Sequence, residues 1–85
     1  MADPMEAAIE RWLIDKIATL TGQPASSIDP DRPVEIYGLT SVMAVGMSAD
    51  LEDWLGIEVE ATIVWDYPTL AGMAAHLAAS KVSAG

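Results

Sequence analysis

The 85-residue sequence has no cysteine and few basic residues. Without cysteine, disulfides and thiolate metal sites are excluded, so the fold must be held together by apolar burial. Four lysine and arginine residues against 13 aspartate and glutamate residues give a net charge of −9. This charge argues against nucleic acid and anionic membrane surfaces as partners, and it favours basic protein partners.

Long apolar runs are also missing. The longest stretches without a charged residue, 36–49 and 67–80, hold 14 residues each, whereas a membrane-spanning helix needs about 20 apolar residues. The N-terminal segment is acidic and has no apolar signal core. We therefore expect one cytoplasmic domain over residues 1–85, monomeric in isolation. Its core should cover about residues 4–80, and residues 81–85 should form a frayed tail or linker.

The first predicted helix begins at Asp3 and ends at Gly22. Asp3 can cap it, Pro4 suits the first helical position, and Glu6 stands at the spacing of a capping box. Its inward face consists of apolar residues at helical spacing: Ile9, Trp12, Leu13, Ile17 and Leu20. The segment 23–39 has three prolines and no sustained period, which predicts a long loop. Four apolar side chains are expected to pack this loop down: Ile28, Val34, Ile36 and Leu39.

The second predicted helix begins at Thr40 or Ser41 and ends at Leu55, with Gly56 as its stop. Its inward face is predicted to contain Ala44, Met47, Leu51, Trp54 and Leu55.

A short helix is predicted at Ala61–Trp65, and a last helix opens at Pro68-Thr69. Apolar residues of the last helix again recur at helical spacing: Leu70, Met73, Ala74 and Leu77. The sequence therefore predicts an all-α fold, a small antiparallel bundle of three main helices and one short helix. A long loop separates the first two helices.

Ser41 is the first candidate for chemistry, as a hydrolase nucleophile. A nucleophile elbow places the serine between glycines on a strand-to-helix turn, and Ser41 has neither feature. His76 is the only histidine, and a lone histidine on a helix more often lies at the surface or at the core edge. We expect no catalytic residue.

Acidic residues in the long loop superficially resemble the start of a calcium site. Asp29, Asp31 and Glu35 alternate, but Pro33 and Val34 stand where a calcium loop needs an oxygen ligand and a glycine. We therefore expect no metal site.

The start of the second helix suits two roles for Ser41. A serine at this position is commonly a plain N-cap. A helix N-terminus also favours a phosphate ester, because it offers unpaired N–H groups and a partial positive charge. The residues alone leave both roles open.

The outward side of the second helix is predicted from a rotation of about 100° per residue to carry Val42, Gly46, Ala49 and Asp53. With Asp50, this side is either a solvated face or a docking surface for basic partners. Gly46 costs about 1 kcal/mol against alanine in a helix interior, so it calls for a reason. Either another surface approaches closely there or helices pack closely inside the domain.

Three segments together resemble a known family. "YGLTSVMAVGMSADLEDWLG" (37–56) is similar to the attachment region of acyl carrier proteins, particularly the carrier domains of modular polyketide synthases. "VWDYPTLAGMAAHLA" (64–78) resembles their C-terminal helix, and "IDPDRPVEIYGL" (28–39) resembles the loop before their modified serine. The resemblance covers about residues 9–79, with these elements in the family's order and spacing.

The resemblance implies that Ser41 is the attachment site of 4'-phosphopantetheine, which a phosphopantetheinyl transferase adds from coenzyme A. The cofactor's thiol would carry acyl or polyketide intermediates as thioesters between enzymes, so the domain itself would be a carrier and not an enzyme. A ketosynthase and an acyltransferase or acyl-AMP ligase are the implied partners. In the family these enzymes recognise the helix that begins at the serine. The implied docking residues here are Thr40, Val42, Met43, Gly46, Ala49, Asp50 and Asp53.

Two positions depart from the family's pattern. Thr40 replaces the usual aspartate, and it can still cap a helix while removing a negative charge beside the phosphate. Gly46 replaces a usual acid, so partners that rely on an acidic first turn should recognise this carrier less well. One alternative is a peptidyl or aryl carrier. Such carriers typically have a second glycine before the serine, which this sequence lacks. The other alternative is a carrier-like interaction module that is never modified.

Overall fold

The computed structural model describes the backbone of residues 4–84 and the side chains of residues 4–82. Four α-helices follow one another: α1 (Pro4–Thr21), α2 (Ser41–Leu55), α3 (Ile63–Asp66) and α4 (Leu70–Ala84). The long loop between α1 and α2 contains two 3₁₀ turns, Ala25–Ser27 and Val34–Tyr37. The predicted all-α bundle of three main helices and one short helix is confirmed.

The ends of α2 lie where the sequence predicts them. Thr40 precedes the helix in extended conformation and caps it, and Gly56 ends it with φ of 70°, in the left-handed region that glycine adopts without strain. The N–H of Gly56 donates to the carbonyl of Glu52 at 2.8 Å. At the start of α4, Thr69 accepts a hydrogen bond from the N–H of Gly72 at 3.1 Å. The predicted cap of α1, Asp3, lies outside the described residues.

The core collects most of the predicted inward side chains of the three main helices, together with Val64 of the short helix. Nine large side chains from the helices are almost completely buried: Ile9, Leu13, Ile17, Met47, Leu51, Val64, Leu70, Met73 and Leu77. The predicted inward positions of Trp12, Leu20 and Trp54 are wrong in part. Trp12 and Leu20 are half-buried, and Trp54 is 45% exposed. The two indoles stack at the edge of the core, with ring centroids 5.4 Å apart, where each covers apolar area of the other.

The long loop is packed down as predicted, with one exception. Ile28, Val34 and Leu39 are buried as predicted, and so is Tyr37, but Ile36 is 58% exposed. The reason is the 3₁₀ turn, which has about three residues per turn. It directs Val34 and Tyr37 to the same inward side and leaves Ile36 outside. The hydroxyl of Tyr37 accepts a hydrogen bond from the N–H of Asp29 at 2.7 Å and so fixes the loop from within.

Two boundaries near the C-terminus differ from expectation. α3 covers Ile63–Asp66 and begins two residues later than the predicted Ala61–Trp65. α4 continues to Ala84, so residues 81–84 are helical and do not form a frayed tail. Lys81 explains part of this extension, because its Nζ donates to the carbonyl of Leu55 at 2.5 Å and ties α4 to the end of α2.

Candidate functional site

Ser41 is the first residue of α2, and its side chain is exposed. The capping residue is Thr40, whose Oγ1 accepts from the N–H of Met43 at 3.2 Å and whose carbonyl accepts from the N–H of Ala44 at 2.9 Å. Ser41 is therefore not the N-cap, and the capping explanation for a serine at this position does not apply. The N–H groups of Ser41 and Val42 are left at the free end of the helix, without intrahelical acceptors.

The hydroxyl of Ser41 is available for chemistry. Among residues 4–84, none of the hydrogen bonds uses Ser41 Oγ, and the first turn of α2 has no acidic residue. Unpaired N–H groups, a partial positive charge and a neutral surrounding favour a phosphate ester on this oxygen. The chemistry of this helix end therefore fits a phosphorylated group attached at Ser41.

A hydrolytic role for Ser41 has no support in the geometry. His76 lies on α4, where its ring stacks on Tyr67 with centroids 4.4 Å apart. No hydrogen bond joins it to Ser41 within the part of the chain that the structure describes. The described residues also contain no group of histidine and acidic side chains that could hold a metal ion.

The outward face of α2 is apolar and open. Val42 and Val45 are 82% and 56% exposed, and Gly46, Ala49 and Asp53 are exposed beside them. A Cβ atom added to Gly46 would meet nothing within 4 Å. Close packing inside the domain is therefore not the reason for this glycine. Of the other predicted docking residues, Thr40 and Asp50 are exposed and Met43 is half-buried against the core.

The lysine and arginine side chains are all engaged by the fold itself. Among the side chains of residues 4–82, three ion pairs and one hydrogen bond together use all four: Arg11–Asp15, Lys16–Asp50, Arg32–Asp29, and Lys81 with the carbonyl of Leu55. The electrostatic field outside the molecule is therefore set by the remaining carboxylates, which suits basic partners.

Sequence reasoning missed the contacts between α1 and α2 near this face. Lys16 pairs with Asp50, and Trp12 stacks on Trp54. No local sequence pattern predicts these contacts, because the residues in each pair are more than 30 positions apart. Lys16 and Asp50, for example, are separated by 34 positions.

A groove of about 320 Å³ lies elsewhere, between the segment 58–67 and α4. Its lining includes Val59, Tyr67 and His76 but not Ser41. The serine is thus presented at an open surface. No helix within residues 4–84 is long and apolar enough to cross a membrane.

Comparison with known proteins agrees with this geometry. A family model described as "Phosphopantetheine attachment site" matches residues 11–77. The chain is 37% identical over 78 residues to one of the subunits of the phenolphthiocerol/phthiocerol polyketide synthase of Mycobacterium tuberculosis (strain CDC 1551 / Oshkosh), a match that covers 92% of this chain and 4% of that protein. The chain thus spans a small fraction of the length of this relative.

Two solved structures share the fold. A free-standing peptidyl carrier protein from Acinetobacter baumannii superposes with a TM-score of 0.86 at 33% identity, covering 92% of this chain and 98% of that one. Asl1650 is an acyl carrier protein from Anabaena sp. PCC 7120 with a variant phosphopantetheinylation-site sequence. It superposes with a TM-score of 0.82 at 30% identity, covering 95% of this chain and 92% of that one.

The family match and the shared fold identify the chain as a carrier domain, a class of protein that is not catalytic. The chain belongs to the phosphopantetheine-binding carrier family, of the acyl carrier and polyketide synthase carrier type.

Proposed function

We propose that Ser41 is the residue to which phosphopantetheine is attached, and that the domain carries acyl or polyketide intermediates between synthase enzymes in the cytoplasm. The observation that carries this proposal is the unbonded, exposed Ser41 hydroxyl at the N-terminus of α2, beside a separate capping residue, Thr40. The serine also lies within the family match over residues 11–77.

Attachment requires that Ser41 Oγ lose its proton and form a phosphodiester with the phosphopantetheine half of coenzyme A. The phosphorus-oxygen bond to the nucleotide half breaks, and adenosine 3',5'-bisphosphate leaves. When attached, the group supplies a thiol that holds the cargo as a thioester, a nucleophile that this cysteine-free chain lacks. The chain's own contribution is to present the oxygen, to place two free N–H groups beside the phosphate and to keep negative charge away from it.

Thr40 is compatible with this role although the family usually has aspartate there. Its Oγ1 supplies the cap that an aspartate would supply. The Anabaena acyl carrier protein, which shares the fold, has a variant site sequence as well.

The outward face of α2 is the proposed docking surface for partner enzymes. Its members are exposed, apart from the half-buried Met43: Thr40, Val42, Met43, Gly46, Ala49, Asp50 and Asp53. The proposed partners are a phosphopantetheinyl transferase, a ketosynthase, and an acyltransferase or acyl-AMP ligase. Support comes from the position of this face, which begins beside Ser41, and from the open space around Gly46.

A peptidyl carrier is the second candidate function. It is favoured by the structural likeness to the Acinetobacter peptidyl carrier protein. The acyl role is favoured by the 37% identity to part of a polyketide synthase over 92% of the chain. The loop "YGLTS" also lacks the second glycine of the peptidyl signature.

The test of attachment is intact-mass spectrometry of the apo protein after incubation with coenzyme A and a promiscuous phosphopantetheinyl transferase. We expect one phosphopantetheine per chain, lost in Ser41→Ala and retained in the matched control Ser26→Ala, which changes another exposed serine. Absence of addition with several transferases would refute the proposal and favour an unmodified interaction module.

The test of cargo class uses the loaded protein. A fatty acid with an acyl-AMP ligase, and an amino acid with an adenylating enzyme, are offered in parallel. Thioester formation with the fatty acid supports the acyl role, whereas loading by the amino acid alone would transfer the assignment to peptidyl synthesis.

A further inference from the structure

The three carboxylates of α2 differ in how much of their charge a partner can use. Asp50 forms an ion pair with Lys16 of α1. Glu52 is half-buried, and its Oε1 accepts from the N–H of Val59 at 2.9 Å. Asp53 is exposed and takes part in no ion pair or side-chain hydrogen bond within residues 4–84. Only one of the three is uncommitted.

The partner of Asp50 is itself held in place. The Lys16 side chain is only 27% exposed, and its Nζ lies 5.7 Å from the centroid of the Trp12 ring. Trp12 in turn stacks on Trp54 at an interplanar angle of 8°. These four residues, Trp12, Lys16, Asp50 and Trp54, form one contiguous contact between the two helices, which we name the α1–α2 clasp. Lys16 is already restrained against the Trp12 ring, so it loses less conformational entropy on pairing with Asp50 than a free lysine would.

We propose that the α1–α2 clasp withdraws Asp50 from partner recognition and leaves Asp53 as the one docking carboxylate of α2. The proposal rests on the docking role of α2 proposed above and reassigns Asp50 from docking to positioning. The partner surface that fits is apolar opposite Val42, Val45 and Gly46, with a single lysine or arginine opposite Asp53.

Charge complementarity supports this choice of partner. A cation approaching Asp50 meets the positive charge of Lys16 at the same place, and the two nearly cancel at a distance. Asp53 lies three residues on, about 4.5 Å further along the helix axis, and no described lysine or arginine is paired with it. A partner that presents a row of basic residues is suited to a helix with several free carboxylates. On α2 only one of those basic residues would meet an unpaired carboxylate.

The test measures KM and kcat for the apo protein as substrate of a promiscuous phosphopantetheinyl transferase, with coenzyme A saturating. Asp53→Lys is expected to raise KM about tenfold with little change in kcat. The paired exchange Lys16→Asp with Asp50→Lys preserves the ion pair with its sign reversed, and its KM should stay within about twofold of the original protein. A tenfold rise in KM for the paired exchange would overturn the proposal.

The clasp has its own readout that needs no partner. With Trp65→Phe in every variant, Trp12 and Trp54 are the two remaining emitters among the three tryptophans. Lys16→Asp alone and Asp50→Lys alone should each lower Tm and change the tryptophan emission. The paired exchange should restore part of the Tm, because it re-forms the ion pair but not the contact between a cation and the Trp12 ring. Independent, additive effects would overturn the clasp. If the original protein accepts no phosphopantetheine, the proposed function fails, while this cycle still decides the clasp.

Discussion

Gly46→Ala is expected to stabilise the domain and to weaken its recognition by partner enzymes at the same time. Gly46 lies in the interior of α2, has an ordinary helical backbone, and offers open space where the new methyl group would stand. Helix propensity then favours alanine by about 1 kcal/mol. In a domain of this size, 1 kcal/mol corresponds to a rise in Tm of about 4–8 °C.

The added methyl group is expected to weaken the binding of the carrier to its partner enzyme. If a partner packs against α2 at Gly46, the added methyl group must displace its surface, and overpacking of a fitted contact costs about 1–3 kcal/mol. KM for the carrier should therefore rise by about tenfold.

The assay pairs a thermal melt followed by circular dichroism with steady-state transfer by the phosphopantetheinyl transferase or a cognate acyltransferase. A higher Tm with unchanged KM would refute close approach at Gly46. A lower Tm would contradict the open space that the structure gives this position.

Three further changes test other parts of the account. Ala49→Gln adds bulk to the docking face and should slow transfer about tenfold. The control Ala79→Gln, at an exposed position of α4, should leave the rate of transfer unchanged. Equal rates for the two variants would show that the α2 face is ordinary solvated surface. Tyr37→Phe removes the hydrogen bond to the Asp29 N–H and should lower the free energy of unfolding by about 1–2 kcal/mol in a urea titration. The folded variant should still accept phosphopantetheine fully. An unchanged free energy of unfolding would show that the loop is held without this hydrogen bond. Thr40→Ala removes the cap of α2 and should cost about 1 kcal/mol in the same titration, while Thr40→Asp keeps the cap and stability; equal losses in both would contradict the capping role.

The elements that the sequence predicted well are those with local signals. The start and end of α2 follow from a threonine cap, a run of helical period and a stop glycine, all within residues 40–56. Ser41 is exposed at this start of the helix. The motif order along the chain then pointed to the family.

The features that the sequence did not predict depend on tertiary placement. Trp54 fits an inward stripe by spacing alone, yet the bulk of two indoles is accommodated at the core edge by stacking. Ile36 is turned outward by a 3₁₀ turn within the segment that the sequence predicted only as a long loop. The extended α4 is tied to the end of α2 by Lys81, whose partner Leu55 is 26 residues away in sequence. Such contacts are set by how the helices pack, which no single segment encodes.

The docking face illustrates both sides of this limit. Helical periodicity predicted that Val42, Gly46, Ala49 and Asp53 share one outward side, and the structure leaves all four exposed. The pairing of Asp50 with Lys16 became visible only with the two helices in place. Periodicity thus identifies a face, whereas the charges it offers depend on neighbouring helices.

The most direct test of the central claim is to locate the attached group on the chain. After transfer, cleavage at glutamate releases the segment 36–52, which contains Thr40, Ser41 and Ser48 as its hydroxyl-bearing side chains other than Tyr37. Fragmentation of this peptide by tandem mass spectrometry should place phosphopantetheine on Ser41 alone. Attachment at another hydroxyl, or an unmodified peptide after incubation with several transferases, would contradict the account.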